Sequence, residues 1–413
     1  MMKKNLKTFL ALALGAAAVM APVQFAQAEE TNTVTLWLGS WWENEVEWME
    51  EQFAKDNPGY ELKIELQPIT NYQDNAASAI LGGEGPDVLA LDTLFLPSMM
   101  SQGLLSPLDD FAAEAGLTAD KFTKCVYDAG IKDGVLYALP YRFTCNVLWY
   151  NKTMFDEAGV DYPTDRMDLD AFYELCKTMT KDDKYGFGIA GSKNDPANVM
   201  SSFASFLWGT GGDFLTEDLS ASAMNTPESV AGVKYWVDLY YDGLVPEGCI
   251  NYQITTDLFP LAMSNGLAMI PIGDDNITNI ENFAKDNEFE WDVCLHPGYA
   301  RAAGWSVSIP VSCDNVDGAQ TFMKWFLQPE IISRNNTVYP GVIEAQTMNK
   351  WSDPLFEIYA KQAEYAVHTP NTPKWTEIQN IVVEELQNAL AKVCTPEEAC
   401  VAMDERINAA LSE

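Results

Sequence analysis

Between Val34 and Leu91 the chain reads strand, helix, strand, helix, strand, and no other feature narrows the possible folds as far. Val34 to Leu38 is a short apolar run, after which Val46, Met49 and Phe53 share one face of a helix that stops near Asn57-Pro58-Gly59. Leu62, Ile64 and Leu66 alternate with polar neighbours as a half-buried strand does. A helix through Ala76 to Leu81 then gives way to Gly82-Gly83-Glu84-Gly85-Pro86 and the apolar strand Val88 to Leu91. A helical crossover returns the chain to the end of the sheet from which it set out, so strands joined this way run parallel, and the fold class is α/β. Further strands are expected at Tyr185 to Ile189, Leu267 to Ile270 and Trp291 to Leu295. Thr226-Pro227 opens a helix that closes at Gly243. A chain of 413 residues exceeds what one core holds, roughly 250 to 300 residues, so two lobes are expected. No internal repeat or low-complexity linker separates them, which implies lobes that interleave.

The 60 acidic side chains stand against 25 Lys and Arg, a net charge of −35. Such a surface repels a polyanion over most of its area, which removes nucleic acid from the expected partners. Hydrophobic residues make up 47% of the chain, too many for a disordered acidic polymer, so the charge coats a folded core.

The first 28 residues differ from the rest: Lys3, Lys4 and Lys7, an apolar run from Phe9 to Ala21, then Ala26-Gln27-Ala28. This pattern predicts a cleaved signal peptide and a periplasmic location, and no Cys follows the cleavage site to carry a lipid anchor. Eight cysteines in an oxidising compartment permit disulfides. Cys394 and Cys400 flank a helix start with Thr395 as N-cap, Pro396 at N1 and Glu398 at N3, and a bridge between them is expected. With His296 and His368 the only histidines, and no Cys-x-x-Cys spacing, neither a zinc site nor a Ser-His-Asp set is readily built, and no cofactor is expected.

Ligands of open α/β sheets bind beyond the carboxyl ends of the strands, where Trp41, Asp92 and Asp274 fall. Trp41-Trp42-Glu43 follows the first strand. An indole stacks on the C–H face of a sugar while a carboxylate takes its hydroxyls, so this trio suits a carbohydrate. Asp92-Thr93 follows the third strand and Asp274-Asp275 follows Gly273, which would oppose carboxylates from two lobes. Of only five arginines, Arg142 and Arg301 fall at the expected crossovers, where each could meet an acidic ligand or hold a hinge.

The chain resembles the extracellular solute-binding proteins of ABC importers, in particular the family that includes the maltose-binding protein. The resemblance rests on Leu36-Trp37-Leu38-Gly39, Gly85-Pro86-Asp87-Val88, Leu139-Pro140 running to Trp149-Tyr150-Asn151-Lys152, and Gly266-Leu267-Ala268-Met269 with Gly273. It also rests on Gly304-Trp305-Ser306-Val307-Ser308-Ile309-Pro310 and Thr369-Pro370-Asn371-Thr372-Pro373. It covers essentially all of the chain after residue 28. It implies a type II periplasmic binding protein fold whose two lobes close over a ligand by hinge motion. The implied N-terminal lobe is 29–141 with 302–338, and the C-terminal lobe 142–301 with 339–413. Thr144, Trp208, Trp305 and Trp375 join the ligand-binding set by matching cleft-lining segments of the family, and Tyr339 marks the third crossover. The glycines after Trp208 would let backbone approach a ligand. The family pattern has an aromatic near Asp275, and its absence here tells against a maltodextrin. The expected protein is a monomer, not an enzyme, that passes a mono- or oligosaccharide to membrane permease subunits. A polyamine binder of the same fold and a secreted glycoside hydrolase are the alternatives, and nothing marks the carboxylate pair the latter needs.

Overall fold

The computed structural model describes residues 32–68, 71–287, 290–335 and 337–412, so the expected signal segment lies outside the described residues. The strands, in chain order, are β1 (Asn32–Gly39), β2 (Tyr60–Gln67), β3 (Val88–Asp92), β4 (Ile131–Lys132), β5 (Val135–Leu136) and β6 (Leu139–Thr144). They continue with β7 (Val147–Asn151), β8 (Tyr185–Phe187), β9 (Leu267–Ile272), β10 (Trp291–Cys294), β11 (Ala300–Ser308) and β12 (Ala366–His368).

The opening alternation folds as its pattern requires. Helices Val46–Asp56 and Tyr72–Gly82 cross over between β1, β2 and β3, and β1 lies between the other two, parallel to both. The sheet is mixed rather than all parallel, because β11 enters from far along the chain and pairs antiparallel with β3 on one edge and with β6 on the other. The first sheet therefore runs β12-β11-β3-β1-β2, with β6 also on β11. A second sheet, β10-β7-β9-β8, is built wholly from the middle of the chain, with β7 antiparallel to both β10 and β9.

Each sheet has its own apolar core. Val34, Leu36 and Leu38 of β1 and Phe322, Met323 and Phe326 of helix Val316–Phe326 belong to the first. Phe187, Phe203, Phe206 and Trp236 belong to the second, together with Val382, Leu386 and Met403 of the two C-terminal helices, Trp375–Leu390 and Pro396–Leu411. The Thr395 capping box forms as expected: its hydroxyl accepts from the Glu398 N–H while Glu398 accepts from the Thr395 N–H. The bridge expected beside it does not form. All eight cysteines are free thiols; Cys400 is buried in the second core and the partly exposed Cys394 packs against that core. Among the described residues no helix is long and apolar enough to cross a membrane.

The chain passes from the first sheet to the second between Thr144 and Val147, and back between Cys294 and Ala300. The first passage meets the segment around Tyr339: the Phe143 N–H donates to the Tyr339 carbonyl at 3.0 Å, and Pro340 bridges to Arg142. These passages bring the carboxyl ends of β3, β6 and β9 close to the start of β11.

Candidate binding site

Strand alternation decides which side chains reach the site. On β6 and just beyond it, Tyr141, Phe143 and Cys145 are buried while Arg142, Thr144 and Asn146 are half-buried, so the second set shares one face. On β11 the same face carries Arg301, Ala303 and Trp305. Register aligns the two strands: Ala303 stands opposite Thr144, and Trp305 opposite Arg142. Across the other edge of β11, Trp305 stands opposite Asp92. Three adjacent strands thus present Asp92, Trp305 and Arg142 in one row. Gly304 permits it, because a Cβ there would lie 2.2 Å from the Arg142 carbonyl oxygen.

Trp41 covers the end of this row. Its indole folds back over Gly39, where an added Cβ would lie 2.2 to 2.4 Å from ring carbons, and meets Trp305 edge-on with ring centroids 4.5 Å apart. Tyr72 supports Trp305 from below at 5.9 Å, its hydroxyl donating to the Ala90 carbonyl at 2.6 Å.

Asp92 sits in this floor half-buried, one oxygen accepting from the Leu94 N–H at 2.9 Å. Burial pushes its carboxyl above the ordinary aspartate range, against the opposing pull of Arg301 and Arg142. Arg142 acts equally on Asp275, which follows the second sheet's β9. Asp275 is an exposed residue whose Oδ1 lies over Gly273, as does the Thr144 hydroxyl, and accepts from the Asn276 amide at 3.0 Å; desolvation of the carboxyl together with Asp274 pushes it upward. Arg301 donates from Nε to the Ser201 hydroxyl at 2.8 Å, on helix Pro196–Gly209 of the second core, and burial disfavours its cation. Residues of both sheets therefore converge on one cluster: Trp41, Asp92, Arg142, Thr144, Asp275, Arg301 and Trp305.

Other expected members lie elsewhere. Trp42, 2% exposed, is a core residue packed on Tyr141 and Phe326, because the tight turn Ser40–Glu45 sends successive side chains to different sides and only one indole can face out. Thr93 is fully buried and fastens β3 to β11: its N–H donates to the Gly304 carbonyl, and its hydroxyl accepts the Gly304 N–H. The Tyr339 ring packs among Phe143, Trp351 and Phe356 in a third apolar cluster. Asp274 is 2% exposed and accepts the Tyr339 N–H at 3.0 Å, so one of its oxygens ties the crossover rather than facing outward. Glu43 is exposed. Trp208 and Trp375 are buried on either side of Phe214, at 5.8 and 5.2 Å, and the Trp208 N–H donates to Asp213. The glycines after Trp208 serve packing: a Cβ at Gly212 would strike Ser229, and Gly209 lies against Leu169 and Gly298.

Two members escaped the sequence reading. Ser201 anchors Arg301 from a helix 100 residues earlier, a pairing no local pattern announces. Asn146 buries its Nδ2 without a partner among the described residues. Asn146 was accessible to period-2 reasoning, being two residues beyond Thr144. Among the described residues no group of His, Cys, Asp and Glu could hold a metal ion.

A family model described as bacterial extracellular solute-binding protein matches residues 40–331. A binding protein of Brucella abortus is 27% identical over 205 residues, 49% of this chain and 48% of its own, so this chain spans about half the length of that curated relative. The maltotriose-binding protein of Pyrococcus abyssi is 22% identical over 357 residues, 82% of this chain and 73% of that one. Among solved structures, the sugar-binding protein MalE of Xanthomonas citri superposes with a TM-score of 0.83 at 18% identity, covering 92% of this chain and 98% of that one. The likeness fixes the architecture as the two-lobed type II α/β fold of periplasmic binding proteins, each sheet being the centre of a lobe.

Proposed function

The chain belongs to the bacterial extracellular solute-binding proteins, and from that premise we propose that it captures a carbohydrate between its lobes and delivers it to the permease of an ABC importer. The observation that carries this is the row Asp92–Trp305–Arg142 with Trp41 across its end. Indole surface beside groups that donate and accept hydrogen bonds matches a sugar's apolar face and its hydroxyls. The sugar-binding names of the Pyrococcus and Xanthomonas proteins support the same ligand class. In this reading the lobes are 29–141 with 302–338 and 142–301 with 339–413, residues 1–28 are a signal peptide, and the mature protein is a periplasmic monomer. It binds its ligand without altering it.

The convergence of Asp92 and Asp275 from different lobes explains how a ligand would favour the closed form, since it gains contacts there that one lobe cannot supply. A polyamine suits the site less well, because Arg142 and Arg301 would repel a cation. Thermal melting of the purified chain across neutral sugars, sugar acids and polyamines tests the proposal, since a ligand specific to the native state raises the melting temperature. A rise with one or more sugars and a fall in radius of gyration by small-angle scattering are expected. Stabilisation by spermidine but by no sugar, or turnover of a bound glycoside, would overturn it.

A further inference from the structure

Arg142 and Arg301 carry an imbalance that a neutral sugar leaves standing. Among the described residues neither guanidinium lies within 4.0 Å of a carboxylate oxygen, in a chain with 60 acidic side chains. Most of the ion pairs that do form are at the surface, as at Lys177–Glu174 and Arg406–Glu384, and only the Arg406–Glu385 pair among the described residues engages a buried carboxylate. Arg142 Nε and Arg301 Nη1 are buried without a hydrogen-bond partner among the described residues, and so is Asn146 Nδ2 on the same face. Asn146 lies two residues beyond Thr144, and Arg301 two residues before its partner Ala303. The result is a patch of unmatched N–H donors, two of them cationic, beside Trp305.

Asp92 and Asp275 act on these arginines from a distance but make no direct ion pair with them. A sugar hydroxyl can satisfy such a donor through a neutral hydrogen bond, whereas a carboxylate does so through a charge-assisted one about twice as strong. The anion is also expected to be singly charged, because Asp92 and Asp275 lie beside the same arginines and would oppose a phosphate dianion. Burial works against the Arg301 cation, and the attraction of Asp92 offsets it only in part.

We infer that the ligand is an acidic carbohydrate, a uronic acid or an oligosaccharide containing one, whose carboxylate sits between Arg142 and Arg301 while its ring lies against Trp41 and Trp305. The inference rests on the carbohydrate reading above and is tested by matched pairs. Isothermal titration of the full chain with D-galacturonate and digalacturonate against D-galactose, with D-glucuronate against D-glucose, and with galactose 6-phosphate separates the possibilities. At least one acid should bind about tenfold or more tightly than its neutral counterpart. Arg142→Gln and Arg301→Gln should each weaken binding of the acid more than of its neutral counterpart, bringing the two affinities to within about twofold of each other. The wild-type comparison stands whether or not either variant folds. Neutral sugars binding as tightly as the acids overturns the inference and leaves carbohydrate capture intact, and tighter binding of the sugar phosphate replaces carboxylate by phosphate. Spermidine binding with no sugar of any kind bound would remove the reading beneath it.

Discussion

The indole of Trp41 stands edge-on to that of Trp305, their centroids 4.5 Å apart, although 264 positions separate them in the chain. The contact exists because Gly39 has no side chain: a Cβ there would lie 2.2 Å from the Trp41 ring. Gly39→Ala should therefore displace the indole, which sits half-buried at the surface of the core and can move, and so leave the fold intact. Ligand affinity is expected to fall by about 1 to 3 kcal/mol, close to that of Trp41→Ala, as one stacking contact is lost. Titration calorimetry of both variants beside their melting curves checks this. Wild-type affinity in both would remove Trp41 from the site.

Trp208 should behave in the opposite way. Its ring is buried against Phe214 and its N–H is engaged by the exposed Asp213, so Trp208→Ala opens a cavity in the second core and removes one hydrogen bond at its edge. The expected loss is about 3 to 5 kcal/mol of stability, read by urea unfolding. Trp41→Ala should cost far less. Equal stability losses in the two variants would contradict the division between core and site indoles.

Much of this arrangement was legible along the chain, and the limit falls between local and non-local pairing. The β1–β2–β3 alternation, the Thr226 and Thr395 caps and the placing of Asp92 and Asp275 at strand ends all follow from periodicity and from residues within a few positions of one another. That Trp305 would stand between Asp92 and Arg142 depends on β11 inserting into a sheet begun more than 200 residues earlier, and no spacing rule encodes that. Neighbours were the other obstacle. Trp41 and Trp42 look alike in sequence, and only the tight turn that carries them decides which faces out. Asp274 and Asp275 divide the same way, one tied to the Tyr339 N–H and one turned over Gly273.

The cleft carboxyls should weaken the fold at neutral pH. Burial raises the native Asp92 and Asp275 above the ordinary value of 3.8, so between that value and their raised ones the native state holds more protons than the unfolded chain. Their contribution is then fully present below the unfolded value and is lost as pH rises through the native one. Asp92→Asn should raise the melting temperature at pH 7, with an advantage over wild type that shrinks as pH falls below the carboxylate range. A lower melting temperature for Asp92→Asn at pH 7 would mean that Arg142 and Arg301 outweigh the cost of burial. The same variant should bind ligand more weakly, because an amide cannot accept as a carboxylate does.

His296 gives a pH dependence of the other sign. It is fully buried, its backbone N–H donates to Gln362 at 2.7 Å, and burial holds its imidazole down at about 4 against an ordinary value of 6.5. Between those two values the unfolded chain binds the proton and the native state does not, so stability is complete above the unfolded value and is lost as pH falls toward the native one. The Nε2 atom has no partner among the described residues, so protonation would leave a buried cation unaccompanied. His296→Gln retains some bulk but removes the titration. It is expected to be less stable than wild type at pH 7.5, through poorer packing beside Phe206. The deficit should narrow steadily as melting is followed from pH 7 down to pH 5. Parallel curves for the two proteins over that interval would show that the imidazole titrates freely and would place the acid sensitivity elsewhere.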